Sequence, residues 1–497
     1  MSSVEADVAA TETGPSDELR RLLEVQREAF LRDQRPSVAV RRNRMDRLVA
    51  LMLDNTDEFV DALVADFGSK SRTATLFTEI LGIMTVIEHT RSNIPKWMRA
   101  TKPARAARLF GIRAEVAPSP LGVVGIIGPW NFPLHLVVLP AAAAFAAGNR
   151  VMIKMSEVTP HTAELLKSLA PKYFDRDELA VVTGDARVAA DFSSLPFDHL
   201  FFTGSPQVGS LVQRAAAANL VPVTLELGGK NPVVVASGAD ITRAATRIAL
   251  GRMVNGGQVC VCPDYVLVPE STVEQFVGAA RTALSEAFPT IASNDEYPAS
   301  VNQANFERVV GLIEDARDRG AQVEAIAPEG ETLPDAATRK IAPTIIRGVD
   351  DSMLITREET FGPVLSVLTY RDLDEVIGYI NRRPSPLVAY WFGPDGKDFR
   401  HFVSNTRSGG VARNEFGIHM FPSDAPFGGV GNSGMGAYHG KAGFDTFSHR
   451  RSIVGTDLPF PITTSVAVPP FGRGIRRTGE FMLRSNRRKV NRRLGRG

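Results

Sequence analysis

Cysteine is almost absent from this 497-residue chain: there are two, Cys260 and Cys262, with one residue between them. Neighbours that close staple no loop, so a disulfide framework is excluded. The economy suits a reducing, cytoplasmic setting. Histidine is also sparse, at eight. No His/Cys/Asp/Glu group has metal-ligand spacing, so no metal is expected. No apolar run reaches the ~18 residues of a membrane span; the stretch 141–147 is apolar but short, and Asn149 and Arg150 follow it. The opening MSSVEADVAATETGPSDE has no basic region and no apolar region, and no secretory signal is expected there. A Walker loop, a GxGxxG after a strand and a GxSxG elbow are all missing. A dominant charge sign is missing too. Lys plus Arg is 57 against 55 for Asp plus Glu, a net of +2, which argues against nucleic acid as a partner of the whole chain.

What is present is ordinary globular composition, 44% hydrophobic and 23% charged, which excludes a fibrous or wholly disordered protein. The length implies two or three structural units, because single cores rarely exceed roughly 250–300 residues. Charge is unevenly placed. Residues 471–497 hold ten Arg or Lys and one acid, Glu480, a net of +9; the other 470 residues therefore carry −7. The basic tail, with Phe471, Phe481, Met482 and Leu483 among its arginines, reads either as a solvated tail or as a weak contact for a membrane surface.

Residues 1–15 read as a disordered N-terminus. Helical spacing begins with Met45, Leu48, Val49 and Met52, breaks at 54–56, and returns with Phe59, Leu63 and Val64. Ile80, Ile83, Met84 and Ile87 mark another helix, which Pro95 is expected to close. Residues 101–119 read as an extended arm or ribbon. From 120, short β-rich runs alternate with helical stretches: 123–127, 150–154, 178–182, 198–202 and 222–227. That rhythm predicts βαβ units and a parallel sheet, hence an α/β protein. The runs are apolar throughout, as strands covered on both faces should be. A second α/β region, with strands at 231–236, 264–269 and 362–370, follows to about 430.

Several strand ends carry chemistry. After 198–202 come Gly204, Ser205 and, four residues on, Gly209, opening a helix whose N–H groups suit phosphate; alone, the string is also an ordinary strand–Gly–helix turn. Lys154 and Glu157 follow a second strand, where ligands of open α/β sheets bind, or else they are solvated loop charges. GPWNFP (128–133) places Asn131 either as an amide donor to an oxyanion or as a helix cap. Glu226, at an apolar strand end before two glycines, is either a general base of raised pKa or a buried salt-bridge partner. Cys260 lies in the Gly-rich NGGQVCVC (255–262), as an accessible nucleophile or an inert thiol, and Cys262 is read as a small buried hydrophobe. EETFGPV (358–364) sets Glu359 and Phe361 where a carboxylate and a ring can hold a nucleoside, or it is a turn before a strand.

In this order, PWNFP, IKMSE, FFTGS, LELGGK, GQVC and EETFGPV resemble the aldehyde dehydrogenase superfamily over about residues 20–455. PFGGVGNSGMGAYHGKAGFDTFSHRR (426–451) is similar to the class 3 group, and FDHLFFTGSPQVG to its bacterial coniferyl-aldehyde branch. The resemblance implies a Rossmann-like cofactor domain over 16–100 and 120–228, a catalytic domain over 229–435, and a bridging or oligomerisation element from 101–119 and 436–460, before the 461–497 tail. It implies Cys260 as nucleophile, Asn131 as oxyanion donor and Glu226 as the base that activates water on the resulting thioester. It assigns Trp130, Lys154, Glu157, Gly204, Ser205, Val208, Gly209, Leu227, Glu359 and Phe361 to NAD, with NADP left open. Phe132, His135 and Phe427 would line the pocket for a small-molecule aldehyde. An aromatic, coniferyl-type aldehyde comes first, an aliphatic one second. His135 would meet a ring hydroxyl or face solvent at the pocket mouth. A homodimer is implied. The alternatives are a CoA-acylating relative, which has no need of Glu226, and a binding protein that kept the fold without the chemistry. Gly256 is expected to loosen the nucleophile loop, and Cys262 to protect Cys260 through a strained disulfide.

Overall fold

The computed structural model describes residues 17–103, 108–109 and 111–496; the N-terminal stretch 1–15 lies outside them. The chain divides into two units. The first takes in the described residues up to Arg99 together with Pro118–Arg450, and the second comprises Ala100–Ala117 and Arg451–Gly497.

In chain order the first strands are β1 (Ile112–Pro120), β2 (Val123–Ile127), β3 (Arg150–Lys154), β4 (Leu179–Val182), β5 (His199–Gly204) and β6 (Val223–Leu227). Strands β2 to β6 are parallel and run β6-β5-β2-β3-β4 across one sheet. Val- and Ile-rich β2 and β3 are buried at every position, the signature of a sheet covered on both faces. The helix His135–Ala147 joins them. It is apolar all round and buried but for its first residue, as a fully interior helix must be. The chain builds outward from β2 through β3 to β4 and then returns to the other side of β2 with β5. That reversal puts the topological switch point between β2 and β5.

Over Gly228–Lys230 the chain crosses to a second sheet of β7 (Asn231–Val235), β8 (Pro263–Pro269), β9 (Gln322–Ala325), β10 (Thr344–Arg347), β11 (Val364–Tyr370), β12 (Val388–Phe392) and β13 (Gly410–Arg413). Their order is β13-β12-β7-β8-β11-β10-β9. The link is three residues long, so the carboxyl end of β6 and the amino end of β7 stay together. Glycine-rich residues then return the chain as β14 (Gly434–Met435), antiparallel to β6 with Gly434 opposite Glu226. The ribbon of β1 and β15 (Ser448–Thr456) belongs mainly to the second unit.

Three expectations are corrected. Pro95 does not close its helix, which runs Gly82–Trp97. The ring denies a partner to the Arg91 carbonyl four residues earlier, and the Arg42 guanidinium supplies one at 3.2 Å. Ile80 belongs to a wider turn, Leu76–Leu81, before that helix. The basic tail contains a 21-residue helix, Arg473–Arg493, exposed along its length. Ile475, Met482 and Val490 share one of its sides at helical spacing, a pattern the surrounding arginines conceal in the sequence.

Candidate active site

The carboxyl edge of the first sheet and the amino edge of the second meet at the short crossing. Most of the chemistry-bearing strings converge there. GPWNFP follows β2, Lys154 ends β3, Gly204–Ser205 follows β5 and Glu226 sits in β6; Cys260 precedes β8 and Glu359 precedes β11.

Cys260 is half-buried at the end of a loop with an unusual backbone. Asn255, Gly256 and Gly257 all take positive φ, at 50°, 63° and 79°. A Cβ on Gly257 would lie 2.1 Å from the Gly362 carbonyl oxygen. Gly256, expected to loosen this loop, is buried and left-handed, so its glycine permits the turn. Asn231 then fixes the Cys260 segment. Its amide donates to the carbonyls of Cys260 (2.7 Å) and Cys262 (3.0 Å), while its oxygen accepts from the Val388 N–H (3.0 Å). The Cys262 thiol is buried and turned toward the Gly251 and Arg252 carbonyls, at 3.6 and 3.7 Å. It packs as a small core residue, and nothing in that arrangement favours pairing with Cys260.

Asn131 is buried and donates one amide hydrogen to the Gln258 carbonyl at 3.1 Å. An amide carries two hydrogens, which leaves the second for a ligand oxygen. Asn255 ties the two loops together, donating to the carbonyls of Asn131 (3.1 Å) and Gln258 (3.3 Å). Its own oxygen accepts from the Lys70 ammonium at 2.8 Å. Lys70 lies 4.1 Å above the Phe67 ring, a cation–π contact in a buried site. Burial pulls Lys70 down to about 8, and burial pushes its neighbour Glu79 up to about 7. Glu79 in turn accepts from the His135 N–H (3.0 Å) at the start of the interior helix.

Glu226 is 3% exposed, and neither carboxylate oxygen has a partner among the described residues. Burial alone holds its carboxyl well above the ordinary range. The salt-bridge reading of Glu226 therefore fails, and a carboxyl whose proton affinity burial raises remains. Burial also pushes the Cys260 thiol up, with Glu359 and Glu226 adding to the effect.

The cofactor side is equally built. Ser205 caps the helix Pro206–Ala217, its hydroxyl accepting from the Val208 N–H at 3.3 Å. Pro206 occupies the first helical position, where no N–H is needed. A Cβ on Gly209 would sit 2.7 Å from Leu227, and one on Gly204 would sit 2.5 Å from the Phe202 ring. The turn is a cradle that side chains would fill, open to solvent at Ser205 and Val208. Lys154 is buried, donates to the Met155 carbonyl (2.6 Å) and lies 3.7 Å from the exposed Glu157. The Trp130 and Phe361 rings meet edge-on at 5.3 Å. Glu359 accepts from the Gly229 N–H, and burial raises it to about 8. A Cβ on Gly228 would fall 2.2 Å from its carboxylate. These residues fit a dinucleotide whose phosphates rest on the helix N-terminus and whose far ribose reaches Glu359.

Sequence reasoning passed over the groups that hold Glu359 in place. Arg308 donates to the carbonyls of Glu359 (3.1 Å) and Thr360 (2.8 Å). Buried Asp264 accepts from the Thr360 N–H (2.9 Å) and pairs with Lys230, which also donates to the Glu358 carbonyl (2.9 Å). Asp264→Ala leaves a mostly buried ammonium without its partner, and is expected to cost about 3–5 kcal/mol. Urea unfolding of the variant beside the parent measures it.

On the substrate side, Phe427 is buried and bridges to Tyr438. Phe132 is partly buried against the same core as Cys260. His135 is half-buried, not a free residue at a pocket mouth: its Nδ1–H donates to the Thr78 carbonyl at 2.8 Å, so Nε2 is the ring's acceptor.

Comparison with known proteins agrees with this geometry. The aldehyde dehydrogenase family model matches residues 3–453. A probable coniferyl aldehyde dehydrogenase of Caulobacter vibrioides is 46% identical over 461 residues, covering 92% of this chain and 95% of that one. A coniferyl aldehyde dehydrogenase of a Pseudomonas species is 43% identical, covering 93% and 95%. The substrate-bound structure of Staphylococcus aureus AldH superposes with a TM-score of 0.86 at 34% identity, covering 93% of this chain and 99% of that one.

Proposed function

Because the chain belongs to the aldehyde dehydrogenase family and is an NAD(P)-dependent enzyme oxidising aldehydes to acids, we propose that Cys260, Asn131 and Glu226 carry its chemistry. The single observation behind this reading is the convergence of an orphaned buried carboxyl, a half-buried thiol and a half-satisfied amide on one crossing between sheets. Cys260 gives up its thiol proton to solvent as Sγ bonds to the aldehyde carbon, and the carbonyl electron pair moves onto oxygen. The free amide hydrogen of Asn131 and the Cys260 N–H hold that oxyanion. Bound NAD or NADP supplies the acceptor for the hydride that leaves the same carbon. Glu226 takes a proton from water as it attacks the Cys260 thioester; the C–S bond breaks and the acid departs.

The cofactor would rest on Gly204, Ser205, Val208 and Gly209, with Leu227 beneath. Lys154 and Glu157 would hold one ribose and Glu359 the other, with Trp130 and Phe361 as walls. The exposed carboxylate of Glu157 repels a 2′-phosphate and accepts from free hydroxyls, so NAD is the preferred partner. Phe132 and Phe427 form an aromatic wall, and with the coniferyl-aldehyde enzymes among its relatives the substrate is taken to be an aromatic, coniferyl-type aldehyde. The test is nicotinamide reduction with NAD or NADP, coniferyl aldehyde or hexanal, with and without CoA. The expected result is CoA-independent turnover, faster with NAD and with the aromatic aldehyde. A strict CoA requirement would replace the hydrolytic reading by an acylating one.

A further inference from the structure

Beyond the reacting groups, the pocket wall contains a ladder of three rings. His419 stacks on Phe427 with centroids 5.7 Å apart and planes at 23°; His439 stacks on Phe427 at 5.3 Å and 21°. Tyr438 meets both Phe427 and His439 edge-on, at 5.7 and 4.6 Å. Tyr390 meets His419 edge-on at 6.4 Å, and its hydroxyl donates to the carbonyl of Val261, next to the nucleophile. The partly buried apolar groups on the same core are Phe132, Cys260, Phe416 and Met420 among others. Tyr438 and Tyr390, which meet the ladder rings, both lie close enough to Cys260 to interact with it electrostatically.

Three of the ladder's four ring nitrogens have no partner among the described residues. Both ring nitrogens of His419 and Nδ1 of His439 are buried without a hydrogen bond, and His439 is 6% exposed. Folded proteins rarely keep such groups unless a ligand or water completes them. His439 is also held at φ 77°, a backbone conformation that costs energy in a non-glycine residue and clusters at ligand sites. Burial keeps both rings neutral at pH 7, His419 pulled down to about 4 and His439 to about 3. A neutral imidazole offers one donor and one acceptor. A half-turn of the ring exchanges nitrogen for carbon without moving its plane, so the edge facing a ligand can present either.

We propose that His419 and His439, both stacked on Phe427, form a polar subsite that recognises a hydroxyl borne on the ring of an aromatic aldehyde. The hydroxyl exchanges a hydrogen bond with an unpaired nitrogen of one of the two imidazoles, while Phe132 covers the ring. An aldehyde without that hydroxyl leaves the nitrogens desolvated and unpaired, which is how a site built for a hydroxyl rejects its absence. The inference rests on the aldehyde-oxidising reading for its substrate, and takes the phenolic ring as its specificity.

The experiment compares 4-hydroxycinnamaldehyde with cinnamaldehyde in the parent and in His419→Phe and His439→Phe. The parent is expected to favour the hydroxylated ring by about tenfold or more in kcat/KM, chiefly through KM, as one or two neutral hydrogen bonds allow. Each variant keeps a stacking ring and removes the nitrogens. At least one of them should lose that preference while its cinnamaldehyde turnover stays within a few-fold of the parent. Competitive inhibition by 4-propylphenol against propylbenzene gives a second readout in the parent itself, independent of variant folding. Equal kcat/KM for the two aldehydes with equal inhibition by the two ring compounds overturns the subsite. A preference untouched in both variants, each still turning over cinnamaldehyde, also overturns it. Failure of every aldehyde to react, with 4-propylphenol still raising the melting temperature more than propylbenzene, would instead sink the aldehyde reading and leave the phenol site standing.

Discussion

Cys260→Ala abolishes aldehyde oxidation, with kcat falling about 10⁴-fold or more, the scale on which loss of a covalent nucleophile reads. The alternative nucleophile is two residues away, yet Cys262 is buried with its thiol against the Gly251 and Arg252 carbonyls, so it cannot substitute. Cofactor binding should survive, because the Gly204–Ser205 turn and Glu359 belong to other segments. Alkylation provides an independent readout. Burial and the neighbouring Glu359 and Glu226 hold the Cys260 thiol protonated at neutral pH, so iodoacetamide should react more slowly than with a free cysteine. It should label one site per native chain, and none in Cys260→Ala. Turnover surviving in Cys260→Ala would remove the nucleophile and most of the mechanism with it.

Glu226→Gln separates the two halves of the reaction. The first half needs the sulfur and the oxyanion donors; the second needs a base for water. In the variant, one equivalent of reduced nicotinamide should appear in a burst. Steady turnover should then fall about 10²–10⁴-fold, the usual contribution of a positioned base. The pH dependence follows from burial. Glu226 must be ionised to take a proton, and burial without a partner raises its pKa. Activity therefore falls as pH drops through that raised value, placing the acid limb of kcat above the ordinary carboxylate range. The limb should vanish from the residual rate of Glu226→Gln. A variant with unchanged steady turnover and an unchanged limb would return Glu226 to a structural role.

Much of the fold was legible because buried parallel strands are apolar at every position and helices repeat every 3.6 residues. The strings at 123–127, 150–154 and 231–235 became strands for that reason. Where a feature depended on a distant partner, reading failed. Pro95 looked like a helix stop because Arg42, which satisfies the freed carbonyl, lies far back in the sequence. Gly256 looked like slack because its positive φ is invisible until the turn before Cys260 is built. The tail helix was masked by poor helix formers, Gly474 and Gly479, within a run of arginines. For His135, read as meeting a ring hydroxyl or facing solvent, only the structure shows that the Thr78 carbonyl takes the Nδ1 proton and leaves Nε2 as the acceptor.

The sequence by itself determined the class of chemistry. Its strand-end strings have fixed order and contain the residue types that acyl transfer and dinucleotide binding require, and covalent order is readable without a fold. Only the tertiary structure decided which of those groups meet and how each is held. Asn231 reaches both cysteine carbonyls, Lys70 fixes Asn255 and through it Asn131, and Glu226 is left dry and unpaired. His419 and His439 both stack on Phe427. Most of these contacts span tens to hundreds of residues along the chain. They depend on where the crossovers bring the chain back and on how much water the packed core excludes, and no local periodicity encodes either.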